Sequence, residues 1–219
     1  MGLGKSYAAE ANFVASLVPG ARTLLDVACG TGKHLEHLQA GFECAGLELD
    51  EAMLAIARTR CPTLPLVQGD MVDFDLGRQF DAVVCLFSSI GYMQTEERLR
   101  RAVASMAAHV APGGTLLVEP WLRPDTFTDG HLSTLAAESA DLKVVRMARA
   151  TREGGCSHFV FHYLVGSAAG VEHLVETHVM GLFTWDQYRG AFEAAGLATE
   201  IDETGGPMGR GLVTGVLPG

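Results

Sequence analysis

The feature that most constrains this chain is a short apolar run that stops on glycines. Thr23-Leu24-Leu25-Asp26-Val27-Ala28 reads as a strand buried on both faces, and Cys29-Gly30-Thr31-Gly32 follows it directly. Glycines at such a junction let the backbone approach a ligand and leave amides exposed at the start of the next helix. A dinucleotide fingerprint would need a third glycine where Leu35 stands, so the GxGxxG reading fails, and a nicotinamide oxidoreductase with it.

The same strand–turn–helix grammar repeats through the first half of the chain. An amphipathic helix over Tyr7–Leu17 closes at Pro19-Gly20, and a helix from Lys33 to about Ala40 follows the glycine turn. A second strand over Cys44–Leu49 leads to Asp50, a good N-cap for a helix over Glu51–Arg60 that Pro62 stops. Further strands are expected at Leu64–Gln68, Phe80–Phe87 and Thr115–Glu119. Thr95 caps a helix running to His109, and Pro112-Gly113-Gly114 makes a turn. Strands alternating with helices imply a parallel sheet covered on both faces.

After Glu119 the pattern changes. Leu142–Thr151, His158–Val165 and Val171–Phe183 are strand-like runs with no helix between them, which predicts an antiparallel β lid inserted over the sheet. Thr184-Trp185-Asp186-Gln187 is a capping box opening a helix that ends at Gly196. Leu197–Glu203 and Leu212–Leu217 read as a closing hairpin around Thr204–Gly211. The expected organisation is therefore an α/β domain over residues 1–141 and 184–219, with a lid over 142–183. At 219 residues the chain is long enough to bury its own core without staples.

Charge limits the partners. Sixteen basic against 26 acidic side chains give a net charge of −10, a poor basis for binding nucleic acid or an anionic membrane. An anionic ligand must then be held by a few local cations. The five cysteines form no CxxC pair and are odd in number, so a disulfide framework or zinc knuckle is not suggested, and a reduced, cytoplasmic location is expected. Residues 1–20 lack a continuous apolar core because Glu10 and Asn12 interrupt it, so no signal peptide is expected. Gly2 and Gly4-Lys5-Ser6 fit fragments of myristoylation and phosphate-loop patterns without the context either needs.

Three further features follow the glycine turn in order. Glu48 ends the second strand, where an acid can accept from both hydroxyls of a ribose. Gly69-Asp70-Met71 follows the third strand, where the acid can accept from an adenine amine while Met71 packs on the ring. Phe80-Asp81-Ala82-Val83-Val84-Cys85 leads into Leu86-Phe87-Ser88-Ser89. All four motifs point to one crevice. Between Leu24 and Pro120, DVACGTG, the ELD acid, QGDM, FDAVVCLF and APGGTLLVEP resemble the class I S-adenosylmethionine-dependent methyltransferases. The resemblance implies a Rossmann-like, seven-stranded sheet whose last strand is antiparallel. It implies Asp26, Ala28, Gly30 and Gly32 around the methionyl part of the cofactor, Glu48 at the ribose, and Asp70 with Met71 at the adenine. Thr31, His34, Leu49, Met53 and Phe87 complete the expected cofactor shell. Ala28 replaces a more frequent glycine.

A sulfonium methyl needs no activation by the enzyme, so catalysis is mainly alignment of a nucleophile in line with it. A sugar amine near ~7.7–8.0 is about one-tenth neutral at pH 7, and reaching the neutral form costs only about 1.4 kcal/mol. A hydroxyl acceptor would call for a strong base or a metal. The eight histidines make no convincing metal cluster. His158 and His162 would lie ~13 Å apart on one face of a strand, and His173 and His178 on opposite faces. No metal is expected, and an amine is the easier acceptor.

Nearly the whole chain resembles the TDP-3-amino-3,6-dideoxyhexose N,N-dimethyltransferases of macrolide and related antibiotic pathways. The matching segments are Gly4-Lys5-Ser6-Tyr7, LLDVACGTGKHLEHL, GLELDEAMLAIAR, QGDMVDFDLGR, FSSIGYM, VEPWLRPDTF, FHYLV, GGPMGRGL and GVLPG. The resemblance implies that Ser88, Ser89 and Tyr92 face the acceptor sugar and that Glu119 and Trp121 border the amine and the sugar-nucleotide. Tyr92 and Glu119 are its expected catalytic residues. Arg210 matches a pyrophosphate-binding arginine, a role suited to a guanidinium that can fork onto phosphate oxygens. Tyr7 matches a tyrosine near the cofactor's carboxylate. Relatives carry more N-terminal sequence with tyrosines that cover the site, and Arg123 replaces an aromatic. The lid aromatics Phe159, Phe161 and Tyr163 read as plain packing, and Arg123 and Arg152 as solvated. A homodimer is also implied. The competing readings are a methyltransferase with a non-nucleotide acceptor, told apart by Arg210→Ala, and a cofactor-binding module without turnover.

Overall fold

The structure is a computed structural model that describes residues 6–219. Helix α1 (Tyr7–Leu17) precedes β1 (Thr23–Val27), α2 (Leu35–Leu38), β2 (Glu43–Glu48), α3 (Glu51–Arg60) and β3 (Leu66–Gln68). Then come β4 (Phe80–Cys85), a 3-10 turn (Ser89–Met93), α4 (Glu96–Ala108) and β5 (Val110–Val118). Four strands follow, β6 (Leu132–Glu138), β7 (Lys143–Glu153), β8 (Cys156–Ser167) and β9 (Gly170–Gly181). Helix α5 (Trp185–Ala194), β10 (Ala198–Asp202) and β11 (Leu212–Val216) close the chain.

Seven strands form one sheet in the order β10-β11-β5-β4-β1-β2-β3. β11 runs antiparallel to both β5 and β10, and the other pairs are parallel. The period-2 alternation of β1 and β4 divides the core. Leu25, Val27, Val83 and Cys85 pack toward α4 and α5, while Leu24, Ala82 and Val84 pack toward α1 and α2. Strands buried on both faces belong in the middle of a sheet, which is where β1 and β4 sit. Asp81 stitches their N-terminal ends together. Its Oδ2 accepts from the Arg22 and Thr23 amides at 2.8 and 2.9 Å and from Thr23 Oγ1 at 3.1 Å. These bonds hold its carboxyl below the usual range. Asp81 thus belongs to the end of the sheet away from the crevice to which its motif was expected to point.

The helix caps are as expected: Asp50 Oδ1 accepts from the Ala52 and Met53 amides, Thr95 caps α4, and Thr184 and Gln187 make a reciprocal capping box. Several boundaries differ for local reasons. α2 is only one turn, because Gly32 enters it at φ +74° and i→i+3 bonds from His37 and Ala40 replace α-helical ones at its ends. β3 starts after Pro65 rather than at Leu64, whose amide is used in a turn to Cys61. β4 ends at Cys85 because Phe87 and Ser88 both turn left-handed, at φ +54° and +63°. Pro112-Gly113-Gly114 lies inside β5 as an irregularity, where the register against β4 jumps from Phe80↔Val110 to Ala82↔Thr115.

The second sheet is antiparallel, in the order β6-β7-β8-β9. It has four strands rather than the three expected, the additional one being β6. Its LSTLAAE sequence carries only two large apolar residues, so the alternation was too faint to see. One face, with Ala148, Ala150, Ser157, Phe159, Phe161 and His178, turns toward the C-terminal edge of the large sheet. The opposite face leaves Val145, Met147, Leu164 and Val175 exposed. No helix among the described residues is long and apolar enough to cross a membrane.

Candidate active site

The C-terminal ends of β1, β2, β4 and β5 converge on one crevice, the position where open α/β sheets bind ligands. At its centre the glycine turn after β1 is fastened to β2. The Gly30 amide donates to Glu48 Oε2 at 2.8 Å, the Asp50 amide to Oε1 at 2.9 Å, and the Cys29 amide to the Leu47 carbonyl at 3.0 Å. Gly32 is needed twice over. It is left-handed, and a Cβ there would stand 3.2 Å from the Ala57 Cβ on α3. Ala28 takes φ +60° without a glycine's freedom, a conformation that costs an L-residue about 1–2 kcal/mol. Three non-glycine residues in this region, Ala28, Phe87 and Ser88, are held left-handed at two adjacent strand ends, a concentration of strain typical of functional sites.

Exposure separates the expected cofactor residues into two groups. Asp26 and Glu48 are buried, while Leu49 (62% exposed), Met53 (46%) and Phe87 (49%) stand out to solvent on either side of the glycine turn. Exposed apolar side chains flanking a buried acid suit a ligand with a flat ring and a polar sugar. Thr31 accepts from the Arg60 guanidinium through its carbonyl. Asp70 Oδ1 accepts from the Val72 amide at 3.0 Å, and Oδ2 lies 3.4 Å from Arg98 Nη2, so this acid also shapes its own turn. Met71 is buried in the core. His34 Nε2 lies 2.7 Å from Glu10 Oε2, and Tyr7 meets the His34 ring edge-on at 4.9 Å, which docks α1 on the glycine turn.

The other half of the crevice is built around Glu119, which has no solvent exposure. Its Oε2 accepts from the Phe87 amide at 2.7 Å and its Oε1 from the Met208 amide at 3.0 Å. One carboxylate thus ties the strained turn after β4 to the glycine-rich loop between β10 and β11. That loop folds back through Gly206, where a Cβ would meet the Gly211 carbonyl at 2.7 Å. It delivers Arg210, whose guanidinium lies 4.5 Å above the Trp121 ring and donates to Ser88 Oγ at 3.1 Å. Ser88 Oγ donates in turn to the Pro120 carbonyl at 2.7 Å. Desolvation pulls the Arg210 pKa down and the Glu119 charge opposes that pull, so the guanidinium stays a cation, poorly hydrated and ready for an anion. Ser89 opens the 3-10 turn that carries Tyr92, which is 44% exposed at the mouth.

The second sheet supplies the far wall. Trp121 donates from Nε1 to Ser157 Oγ at 2.9 Å and meets Phe159 edge-on at 5.3 Å. Phe161 and Tyr163 continue the row with centroids 6.0 and 6.2 Å apart. These aromatics therefore extend a wall from Trp121 rather than only packing a core. Tyr92 O–H lies 2.7 Å from His178 Nδ1 on β9. Sequence reasoning missed His178, since only the β8–β9 register shows which face it takes. Arg123 is not solvated as expected. Its side chain is 13% exposed, 3.2 Å from Asp125 and stacked 4.5 Å from the Trp185 ring. Among the described residues no group of three or more His, Cys, Asp or Glu could hold a metal ion. The cysteines are free thiols, and burial pushes Cys44 up to about 12, outside the range of a nucleophile at neutral pH.

A glycine turn, a buried acid at the end of β2 and a sheet of order 3-2-1-4-5-11-10 define a methyltransferase fold, and residues 24–114 match a methyltransferase domain family. The chain is 50% identical to the dTDP-3-amino-3,4,6-trideoxy-alpha-D-glucopyranose N,N-dimethyltransferase of Streptomyces venezuelae, over 99% of this chain and 93% of that one. It is 49% identical to the dTDP-3-amino-3,6-dideoxy-alpha-D-glucopyranose N,N-dimethyltransferase of Streptomyces fradiae, over 100% and 87%. The S-adenosylmethionine-bound amino pentose methyltransferase CalS10 of Micromonospora echinaspora superposes with a TM-score of 0.91 at 43% identity, over 97% and 92%. This chain belongs to the family of TDP-aminosugar N,N-dimethyltransferases.

Proposed function

We propose that the chain transfers two methyl groups in succession from S-adenosylmethionine to the amine of a TDP-linked amino-deoxysugar in antibiotic sugar biosynthesis. The observation that carries the reading is Arg210, a desolvated cation presented by a glycine loop beside Ser88 and Trp121 in a chain of net charge −10. A pyrophosphate finds there the planar, poorly hydrated donor it prefers. When bound, the cofactor supplies an electrophilic methyl on a positive sulfur, so the residues around it have only to hold and align.

Asp26, Ala28, Gly30, Thr31 and Gly32 line the methionyl end with Tyr7 and His34. Each Glu48 oxygen keeps a second lone pair for a ribose hydroxyl. Leu49, Met53 and Phe87 give apolar cover, and Asp70 with Met71 bounds the adenine end. Glu119 contributes by position, holding the Phe87 turn and the Arg210 loop in one frame. Ser88, Ser89, Trp121 and Arg210 hold the acceptor, and Tyr92 faces its amine. Residues 1–141 and 184–219 form the transferase unit, with 142–183 as the inserted lid to which β6 adds a strand.

A second copy of the chain suits the outer face of the lid, where Val145 and Leu164 are cross-strand partners and Met147, His162 and Val175 form the next row. An exposed apolar sheet face of this kind is what an isologous dimer buries. Free thiols fit a reduced, cytoplasmic setting.

Incubation with S-adenosylmethionine and TDP-amino-deoxysugars, followed by mass spectrometry, should show the acceptor gaining one and then two methylene masses. No product across 3-amino and 4-amino sugars, with the cofactor demonstrably bound, would leave a binding module instead.

A further inference from the structure

We infer that His178 and Tyr92 form a relay, contributed jointly by the second sheet and the turn after β4, that takes the proton released by the acceptor amine before each methyl transfer. The inference rests on the activity proposed above. An ammonium group has no lone pair, so it must lose a proton before the first transfer. The methylammonium product of that transfer must lose another before the second. Each turnover is therefore served by a proton exit that does not depend on the amine returning to solvent.

The geometry offers one. Tyr92 O–H and His178 Nδ1 are 2.7 Å apart, and His178 Nε2 stands 3.7 Å from Glu176 Oε2. Burial, with the charges of Glu176 and Glu48, keeps the phenol protonated through neutral pH. Tyr92 then donates to Nδ1, the neutral imidazole carries its own proton on Nε2, and the phenol's remaining lone pairs are free to accept an N–H. In the transfer, an ammonium N–H bond breaks toward the Tyr92 oxygen while the Tyr92 O–H proton moves to Nδ1. The amine gains its lone pair, the tyrosine is regenerated, and the imidazolium beside Glu176 releases a proton to water from Nε2. Rotation of the phenol O–H with proton exchange at the imidazole restores the starting arrangement before the second transfer. Charge and protons balance without a co-reactant.

The surroundings fit this task. His178 is pinned edge-on against Phe161 at 5.1 Å, which fixes the ring plane. The titratable and charged groups around it are few. Glu176 lies on its own strand and Tyr92 on the 3-10 turn. Tyr163 on β8 interacts with Glu176 and with Arg146 on β7, whose guanidinium lies 4.7 Å over the Phe161 ring. Gln94, which donates to the Val179 carbonyl at 3.2 Å, locks the turn to β9 beside the pair. Tyr92 touches the acceptor in this scheme, whereas His178 acts through Tyr92.

The test is the pH dependence of kcat at saturating acceptor for wild type and His178→Gln. Gln can accept from the phenol but cannot carry a proton. With the relay, wild type keeps activity below the range in which the amine itself titrates, near ~7.7–8.0, whereas His178→Gln loses it with the amine. The acid limb should therefore stand at higher pH in His178→Gln than in wild type. Tyr92→Phe, which removes the relay from its other end and leaves β9 untouched, should show the same displacement and keeps the test valid if His178→Gln folds poorly. Acid limbs that coincide in wild type and Tyr92→Phe overturn the relay while leaving the methyltransferase reading intact. A wild-type enzyme that makes no product overturns both.

Discussion

The two sheets of this protein use their surfaces in opposite ways. Central strands β1 and β4 of the large sheet are covered on both faces, and their chemistry is confined to the ends of strands, where Ala28, Phe87 and Ser88 are bent into left-handed turns. The small sheet is covered by the protein on one face only, and its chemistry lies along that face, in Phe159, Phe161 and His178. A sheet buried on both sides can offer ligands only its edge, and that edge is held in shape by carboxylates that bind backbone amides, the Glu48 and Glu119 clamps. A half-covered sheet can offer side chains in rows, and its other face stays exposed. On the proposed assignment, the cofactor end is built from strand ends of the large sheet alone, while the acceptor end is assembled from both sheets.

The comparison is broken most severely at the joint between the two halves of the crevice. Glu119→Gln is isosteric, but an amide nitrogen must face either the Phe87 or the Met208 N–H. A buried donor left unsatisfied costs about 1–3 kcal/mol, or roughly ten- to a hundredfold. The acceptor's kcat/KM should fall by that factor and the melting temperature should drop, while cofactor affinity changes less. Steady-state kinetics with calorimetry on the variant reads all three. Equal losses at both ends would mean that the carboxylate serves the fold alone.

The outer face of the small sheet gives the next largest effect. Replacing Leu164 and Val175 by Lys places two charges on neighbouring strands of the exposed patch. Light scattering should find a monomer in place of a dimer, with intrinsic stability altered by only about 0.5 kcal/mol per exposed site. An unchanged dimer moves the interface elsewhere.

The smallest effect is expected at the edge of the large sheet. Ala28→Gly removes the left-handed penalty of about 1–2 kcal/mol but adds an unfolded-state entropy cost of about 0.5–1 kcal/mol. Thermal unfolding should show a net gain between zero and about 1.5 kcal/mol. A clear loss of stability would mean that the Ala28 methyl packs against something that matters more than its backbone.

The same contrast governs what the sequence disclosed. Strands covered on both faces announce themselves as continuous apolar runs, and the cofactor motifs sit at their ends at fixed offsets, so Asp26, Glu48 and the glycine turn were legible. The caps at Asp50, Thr95 and Thr184 were legible for the same local reason. β6 was not, because its residues are mostly small or polar and its identity comes from pairing with β7. His178 was hidden because its partner lies 86 residues away in the chain. Glu119 was legible as a site residue, but nothing in VEPW reveals that both its oxygens meet backbone amides from two distant loops. Arg123 was read as solvated because its stacking on Trp185 joins segments that are remote in sequence.

The division into a generic cofactor end and an acceptor end anchored by Arg210 is tested most directly by calorimetric binding of two ligands to one variant. Arg210→Ala removes charged hydrogen bonds worth about 1.5–3 kcal/mol, so TDP should bind roughly ten- to a hundredfold more weakly. S-adenosylmethionine should bind as it does to wild type. Undiminished TDP binding, or equal weakening of both ligands, would contradict the division.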